Sequence, residues 1–336
     1  MTTVVYVSNA DSGDISVLRM DAASGALVPL SRATVGGAAG PLAVSPDRRF
    51  LYVARRTAPT AVLGFAIAAG SGELSLLGEA ELPAGMAYIA TDRTGRYLFS
   101  ASYGGNLLSV GAIAANGLPQ PVQQVLPTEP NAHAVLVDSS NRFVLATSLG
   151  GDIVMQQRFD PMTGRLSANT PPAVHVRKGA GPRHLVFHPG GRFVYLLNEL
   201  DASIDVFGFD AEQGLLAPLQ TITSLPAGMC GAPWAADIHV TPDGRFLYSS
   251  ERRSSTLAAF RIDAASGQLS LIGHVPTEAQ PRGFRIDPRG RFLLAVGQVS
   301  HHLSIYAIDA ATGALTPLAR YGVGQNPHWV EIIDLA

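Results

Sequence analysis

The sequence predicts an all-β fold, namely a seven-bladed β-propeller with four-stranded antiparallel blades. Three observations lead to this prediction. One unit recurs along the chain at intervals of 46 to 53 residues, each copy contains four short strand-like segments, and a further strand-like segment remains at the C-terminus. Repeats of about 40–50 residues with four strands each are typical of propeller blades. We therefore expect a single domain that spans residues 1–336.

The clearest copy of the repeated unit lies around Asp243-Gly244. Asp-Gly is a strong signal for a tight primed hairpin turn, which needs a positive φ at both residues. The turn would join strands at Ile238–Val240 and Phe246–Tyr248, with a third strand at Leu257–Ile262 and a fourth at Gln268–Ile272. These four segments predict one antiparallel meander, which is one propeller blade.

An aromatic residue at the start of the second strand marks the copies, at Phe50, Tyr97, Phe143, Phe193, Phe246 and Phe292. One further repeat before Tyr52 lies Tyr6, which indicates a seventh copy. This first copy begins at its second strand and lacks the opening one. The spare segment His328–Ile333 is therefore predicted to pair with the first copy and close the ring.

The composition argues against several classes of protein. Hydrophobic residues make up 47% of the chain and charged residues 15%, which suits a core between packed blades. The net charge of −2 indicates neither nucleic acid nor membrane partners, and no apolar run approaches the roughly 18 residues of a membrane span. Cys230 is the single cysteine, so an intramolecular disulfide is impossible. Because a strand follows Met1 where a signal peptide would stand, we predict a cytoplasmic protein, monomeric or weakly homo-oligomeric.

The repeat also predicts where a site would form. In a meander, the start of the first strand and the end of the second lie at the same edge of the blade, and the first strands line the central channel. Ten residues before the aromatic marker stand Gly40, Ala87, His133, Arg183, Ala236 and Arg282, and six residues after it stand Arg56, Tyr103, Leu149, Glu199, Arg252 and Gln298. We expect these two sets to converge at one mouth of the channel. Because propeller rims consist of loops, which are polar in general, a polar rim without a function is the alternative.

The residue types at these positions favour a site that handles anions. A proline precedes both Arg183 and Arg282 and would stiffen the backbone that carries them. Arginine binds carboxylate or phosphate in a planar, bidentate manner and can polarise a carbonyl group. Glu199 is a candidate general base, and His133 is a candidate proton carrier. Neighbouring arginines would lower the pKa of Glu199 whereas burial would raise it, and the sequence leaves open which effect prevails.

Other residues carry weaker signals. His239 and the pair His301-His302 are conceivable metal ligands, but no Cys/His spacing motif accompanies them, and a structural or hydrogen-bonding role is favoured. Trp234 and Asp237 would supply a sugar-stacking ring and a carboxylate, although Trp234 also fits simple packing. Dinucleotide, P-loop, nucleophile-elbow and zinc-protease motifs are absent from the sequence. We therefore expect neither a metal nor another cofactor.

Several motifs stand out as a set: Gly181–His184, Asn198–Leu200, Trp234–Arg245, Gln280–Phe284 and Gly297–His302. Together they resemble the propeller-type 6-phosphogluconolactonases of bacteria, whose fold the fungal carboxymuconate lactonising enzymes share. The resemblance covers the whole chain, and it implies metal-free hydrolysis of 6-phosphogluconolactone to 6-phosphogluconate in the pentose phosphate pathway. It also implies the site residues His133, Arg183, Glu199 and Arg252, which the repeat positions select as well.

The expected mechanism gives each of these residues a role. Arg183, with His133, polarises the carbonyl of a sugar lactone, while Glu199, or with less support His133, activates water. Arg252 and Arg282 hold the phosphate or another anionic group. The remaining substrate contacts are predicted at Tyr103, Asp237, His239, Gln298 and His301. Other functions stay open. One is hydrolysis of another sugar lactone, one is lactonisation or isomerisation of a carboxylate by the same residues, and one is a non-catalytic propeller scaffold that binds partner proteins.

Overall fold

Within residues 2–335, which the computed structural model describes, the chain forms 28 β-strands in seven four-stranded sheets. In chain order the strands are β1 Thr3–Asn9, β2 Asp14–Met20, β3 Leu27–Thr34, β4 Ala39–Val44, β5 Phe50–Arg55, β6 Ala61–Ile67, β7 Leu74–Glu81, β8 Tyr88–Thr91, β9 Tyr97–Ser102, β10 Leu107–Ile113, β11 Pro119–Pro127, β12 Ala132–Val137, β13 Phe143–Ser148, β14 Ile153–Asp160, β15 Arg165–His175, β16 Pro182–Phe187, β17 Phe193–Asn198, β18 Ser203–Asp210, β19 Leu215–Thr223, β20 Ala235–Val240, β21 Phe246–Glu251, β22 Thr256–Ile262, β23 Leu269–Pro276, β24 Pro281–Ile286, β25 Phe292–Gly297, β26 His302–Ile308, β27 Leu315–Gly322 and β28 Pro327–Asp334.

The seven sheets are the blades of a ring. Six of them are meanders of four consecutive strands, and the seventh has the order β28-β1-β2-β3. Strand β28 pairs antiparallel with β1, with Ile332 opposite Val5. The seven-bladed propeller and its closure by the C-terminal strand are therefore confirmed. Among the described residues, no helix is long and apolar enough to span a membrane.

Aromatic residues at the markers and two positions after them hold neighbouring blades together. In β5, the hydroxyl of Tyr52 donates to the carbonyl oxygen of Gly117, in the turn between β10 and β11 of the next blade, at 3.1 Å. A Cβ atom on Gly117 would lie 2.3 Å from the ring of Phe50, and the φ of Gly117 is +85°, so the turn needs glycine for two reasons. In β21, Tyr248 donates to Gly313 of its neighbouring blade in the same way, at 2.8 Å. The repeated aromatic residues and the turn glycines thus form equivalent contacts between neighbouring blades.

The hairpin turn at Asp243-Gly244 differs from the expected one. The amide of Thr241 donates to Phe246 at 2.9 Å, and the amide of Gly244 donates to Thr241 at 2.8 Å, so four residues form the loop. Gly244 has a φ of +74°, but Asp243 does not have a positive φ. The prediction of a two-residue primed turn was wrong, because residues 241–244 form an ordinary β-turn with Pro242 at its second position. The Asp243 carboxylate also accepts from the hydroxyl of Thr241 at 2.6 Å.

The innermost strands of several blades begin with β-bulges, which the repeat pattern did not predict. The pairing register shifts between Pro182 and His184 in β16 and between Pro281 and Gly283 in β24. Strands β4, β12 and β20 have register shifts at the corresponding place. A bulge inserts one extra residue and redirects its side chain. Arg183 and Arg282 are these extra residues, so the positions ten before the aromatic markers lie at points where the strand is distorted.

Candidate active site

A cavity of about 610 Å³ lies where the inner strands and the ends of the second strands meet, as the repeat positions predict. Its charged and aromatic lining residues are Arg56, Tyr103, His133, Glu199, Trp234, Arg252 and Arg282, and short residues such as Gly85 and Gly104 complete the wall. The structure therefore brings together five of the predicted site residues: Tyr103, His133, Glu199, Arg252 and Arg282.

Glu199 stands at the centre of the site, directly after β17. Its Oε2 atom accepts from Nε of Arg183 at 2.8 Å and lies 2.9 Å from Nη2 of Arg252. Its Oε1 atom accepts from Nε1 of Trp234 at 3.2 Å. Arg252 also stacks on Trp234, with 3.8 Å between its Cζ atom and the ring centroid. Trp234 thus lines the cavity, donates to Glu199 and packs against Arg252.

Arg183 does not line the cavity. Its side chain is 1% exposed and lies behind Glu199, where its guanidinium also donates to the carbonyl oxygen of Ala236. Arg252 is anchored on the same segment, since its Nε and Nη2 atoms donate to the carbonyl oxygens of Trp234 and Ala235, each at 3.1 Å. The start of β20 therefore holds both arginines in place, and Arg183 supports Glu199 from below the surface.

The pKa of Glu199 answers the question that the sequence left open. Burial raises this pKa, but the charges of Arg183, Arg252 and Arg282 lower it, and the resulting pKa is below that of an ordinary glutamate. Glu199 is therefore an ionised carboxylate at neutral pH. A carboxylate whose anionic form is stabilised in this way is a weak base.

The cavity carries more positive than negative charge. Arg282 and Arg56 have no carboxylate within ion-pair distance among residues 2–335, and the only side-chain partner of Arg56 there is Nε2 of His328, at 3.2 Å. Burial and the neighbouring arginines lower the pKa of Arg252 to about 9 and that of Arg282 well below its usual value. Arg56, Arg252 and Arg282 thus lie close together on a wall where Glu199 supplies one negative charge, which is an arrangement that an anionic ligand would relieve.

His133 extends from the bulged start of β12 into the cavity wall. Its Nδ1 atom is buried and has no hydrogen-bond partner among residues 2–335, and its ring meets that of Tyr103 edge-on with the centroids 6.0 Å apart. Burial and then the charge of Arg183 hold the pKa of His133 well below its usual range, so the imidazole is neutral at pH 7.

The other predicted substrate contacts lie outside the cavity lining. Asp237 and His239 line a second cavity of about 200 Å³, together with His184 and Arg285. Gln298 and His301 both bind Asn326 at the rim. Nε2 of Gln298 donates to Oδ1 of Asn326 at 2.9 Å, and the backbone amide of Asn326 donates to Nδ1 of His301 at 3.0 Å. Between residues 2 and 335, no group of three or more His, Cys, Asp or Glu side chains is arranged to hold a metal ion.

Two residues of the site, His328 and Arg56, are not among the residues predicted from the sequence. Arg56 occupies a repeat position, six residues after Phe50, but the sequence offers no partner that distinguishes it. Pro327-His328 repeats the pattern of Pro182-Arg183 and Pro281-Arg282, which would have been the signal. His328 was overlooked because its strand belongs to the first blade in space and to the end of the chain in sequence.

Comparisons with known proteins agree with this fold. The family described as "Lactonase, 7-bladed beta-propeller" matches residues 2–332. A 6-phosphogluconolactonase of Pectobacterium carotovorum is 44% identical over 336 residues, which is 100% of both chains. A 6-phosphogluconolactonase of Serratia proteamaculans is 43% identical over 335 residues, 99% of each chain. Among solved structures, a periplasmic gluconolactonase of Pseudomonas aeruginosa superposes with a TM-score of 0.94 at 29% identity and covers 100% of both chains.

Proposed function

The chain belongs to the lactonase family of seven-bladed β-propellers, and from this premise we propose that it hydrolyses 6-phosphogluconolactone to 6-phosphogluconate, a step of the pentose phosphate pathway. The observation that carries the proposal is the excess of positive charge in the cavity. Of the described residues, Arg56, Arg252 and Arg282 share its wall with one carboxylate, Glu199. A neutral sugar lactone would leave these arginines uncompensated. A phosphorylated lactone brings the dianion that they lack.

Arg282 and Arg56 are the proposed phosphate ligands. Neither forms an ion pair with a carboxylate of residues 2–335, so their donors are available to a substrate. Arg252 is the proposed donor to the lactone carbonyl. Its Nε and Nη2 atoms are engaged with Trp234, Ala235 and Glu199, and within the described chain Nη1 has no acceptor. A donor that is fixed before the reaction stabilises the oxyanion of the tetrahedral intermediate without further reorganisation.

His133 is the proposed proton carrier. It takes a proton from water on Nε2 while the water oxygen bonds to the lactone carbonyl carbon. When the intermediate collapses, the bond from that carbon to the ring oxygen breaks, and His133 returns the proton to the ring oxygen. Glu199 fits the role of base less well, because Arg183, Arg252 and Trp234 all donate to its carboxylate. We assign Glu199 and Arg183 to holding Arg252 in position.

Proton release with a matched pair of substrates tests the proposal. 6-Phosphogluconolactone and unphosphorylated gluconolactone should differ by about a hundredfold or more in kcat/KM, because two charged hydrogen bonds contribute roughly 1.5–3 kcal/mol each. Spontaneous hydrolysis must be subtracted for both lactones. Equal turnover of the two would assign the chain to general sugar lactonases, and no turnover of either would favour a binding scaffold.

The second candidate function is therefore hydrolysis of an unphosphorylated sugar lactone, and the similarity to the periplasmic gluconolactonase of Pseudomonas aeruginosa favours it. The two candidates also imply different compartments. Sugar phosphates are charged and do not cross membranes unaided, so the phosphorylated substrate goes with the cytoplasmic location that we propose. We further propose a single-domain enzyme, monomeric or weakly homo-oligomeric, that needs no metal, so exhaustive chelation should leave the turnover unchanged.

A further inference from the structure

Two histidines separate the active-site cavity from the second cavity. His133 lines the first, His184 lines the second, and their rings touch with centroids 5.1 Å apart and an interplanar angle of 64°. Tyr88 and Trp329 pack against the other sides of His184, with ring centroids at 5.1 and 5.6 Å. The two imidazoles thus form the polar part of an otherwise aromatic partition.

Each of these two rings has one buried nitrogen for which the described part of the chain provides no hydrogen-bond partner, Nδ1 in His133 and Nε2 in His184. Buried polar atoms are nearly always satisfied by a protein group or an ordered water. Because the rings are in contact, the two nitrogens can satisfy one another, either directly after a small ring rotation or through one buried water. One of the pair must then carry a hydrogen and the other a lone pair.

Asp237 decides which nitrogen carries the hydrogen. Its Oδ1 atom lies 2.8 Å from Nδ1 of His184, and its two oxygens also accept the backbone amides of Ile238 and Phe284 at 3.0 and 3.1 Å. Burial raises the pKa of Asp237, but His239 and His184 bring it well below its usual value, so the group is a carboxylate and only accepts. His184 must therefore donate from Nδ1, which leaves the lone pair on Nε2.

We propose that Asp237 and His184 are positioning residues that fix the tautomer and the orientation of His133 for catalysis. His184 Nε2 accepts a hydrogen bond from His133 Nδ1, so the hydrogen of neutral His133 is held on Nδ1 and the lone pair of Nε2 is presented to the cavity. In a catalytic triad, a carboxylate binds the catalytic histidine directly and fixes its tautomer. Here the carboxylate of Asp237 binds His184, and His184 in turn binds His133. The inference deepens the proposed function, because it rests on His133 as the proton carrier.

The isosteric substitution Asp237→Asn tests this role. An amide can donate to Nδ1 of His184 and stabilise its other tautomer, which would place a hydrogen on Nε2 and remove the acceptor for His133. We expect kcat to fall between about tenfold and a thousandfold, with KM within about twofold of wild type. His184→Gln should give a similar loss. Tyr88→Phe keeps the ring that contacts His184 and removes only a hydroxyl, so it is the matched control and should retain the wild-type kcat.

Nitrogen-15 NMR of the imidazoles supplies a readout that does not depend on turnover. In the wild-type protein we expect His133 to be the Nδ1–H tautomer, and in Asp237→Asn and His184→Gln we expect that tautomer to lose its preference while the circular dichroism spectrum is unchanged. An unchanged His133 tautomer in both variants would overturn the inference, as would wild-type kcat in a variant whose tautomer has shifted. If the wild-type chain hydrolyses no lactone, the proposed function fails, and the NMR result alone decides whether Asp237 fixes the His133 tautomer.

Discussion

Nε of Arg183 donates to Oε2 of Glu199 over 2.8 Å, and the arginine that makes this contact has 1% of its side chain exposed. The pair joins the bulged start of β16 to the end of β17 at one edge of a blade. Arg183 therefore holds Glu199 in position from the protein interior. We expect removal of Arg183 to lower the free energy of unfolding.

Arg183→Met should lower the free energy of unfolding by about 3 kcal/mol, because breaking a buried ion pair leaves a buried charge with less compensation. Glu199 keeps Arg252 and Trp234, which limits the loss. Urea unfolding measures the effect. Arg177→Met is the matched control, since Arg177 pairs with Asp201 in the same blade but is 52% exposed, and it should cost less than about 1 kcal/mol. Equal costs for the two variants would contradict the supporting role of Arg183.

The identity of the base can be decided by comparing His133→Asn with Glu199→Gln. Loss of the proton carrier should reduce kcat by about a hundred- to ten-thousandfold, so His133→Asn is expected to show the larger effect. Glu199→Gln keeps the shape of the side chain and should act mainly by loosening Arg252. Both rates must be measured above the spontaneous hydrolysis of the lactone. A larger kcat loss in Glu199→Gln than in His133→Asn would return the base to Glu199.

Arg282→Gln should impair turnover of the phosphorylated substrate and leave turnover of the unphosphorylated substrate unchanged. Removing a charged donor from the phosphate should raise KM for 6-phosphogluconolactone by about ten- to a hundredfold, with kcat little changed. Turnover of gluconolactone should be unaffected, because that substrate has no phosphate. Arg253→Gln, at an exposed position of the same rim, serves as the control. If Arg282→Gln impairs both substrates equally, Arg282 acts on the lactone ring and not on the phosphate.

The stability of the fold should fall steeply below pH 6.5. Burial lowers the pKa of His133, His184 and His328, that of His184 to about 3, so all three stay neutral in the folded protein while the unfolded chain protonates them near the ordinary value of 6.5. The unfolded state then binds up to three more protons, which corresponds to about 4 kcal/mol of unfolding free energy per pH unit at full effect. The stabilisation is present above pH 6.5 and is lost as the pH falls toward the folded-state pKa values.

Urea unfolding between pH 7.5 and 5 measures this slope, in a range where the carboxylates with lowered pKa values do not yet contribute. His328→Gln should reduce the pH dependence of the unfolding free energy by the equivalent of about one bound proton, whatever its effect on absolute stability. His175→Gln, which changes an exposed side chain, is the control variant. A stability that is flat between pH 7 and 5 would mean that the three buried histidines become protonated in the folded protein.

Removal of residues 325–336 should open the ring. Strand β28 pairs with β1 and supplies the inner strand of its blade, so its loss leaves unpaired strand edges on both sides of a gap. We expect aggregation or a large loss of thermal stability, measured by light scattering and calorimetry. A peptide with the sequence of residues 325–336 should restore part of the lost stability by pairing in trans. A truncated chain that melts like the full-length protein would show that closure by β28 is dispensable.

Much of the fold followed from the sequence because the repeat is a local pattern that occurs seven times. The spacing of Phe50, Tyr97 and their equivalents determined the number of blades, and the unpaired segment at His328 determined the closure. The same spacing placed His133, Glu199, Arg252 and Arg282 around one cavity, because equivalent positions in equivalent blades face the same mouth. Those conclusions needed only chain order and strand alternation.

The tertiary structure alone decided what each side chain faces. The bulges add one residue where β16, β20 and β24 begin, and an extra residue reverses the alternation that a sequence count assumes. Arg183 is therefore buried behind Glu199, and Asp237 faces the second cavity beside His184. The competition between burial and positive charge at Glu199 was likewise decided only in the structure, because it depends on distances between Arg183, Arg252 and a carboxylate from other parts of the chain. Electrostatic energies depend on separation in space, which sequence spacing does not specify.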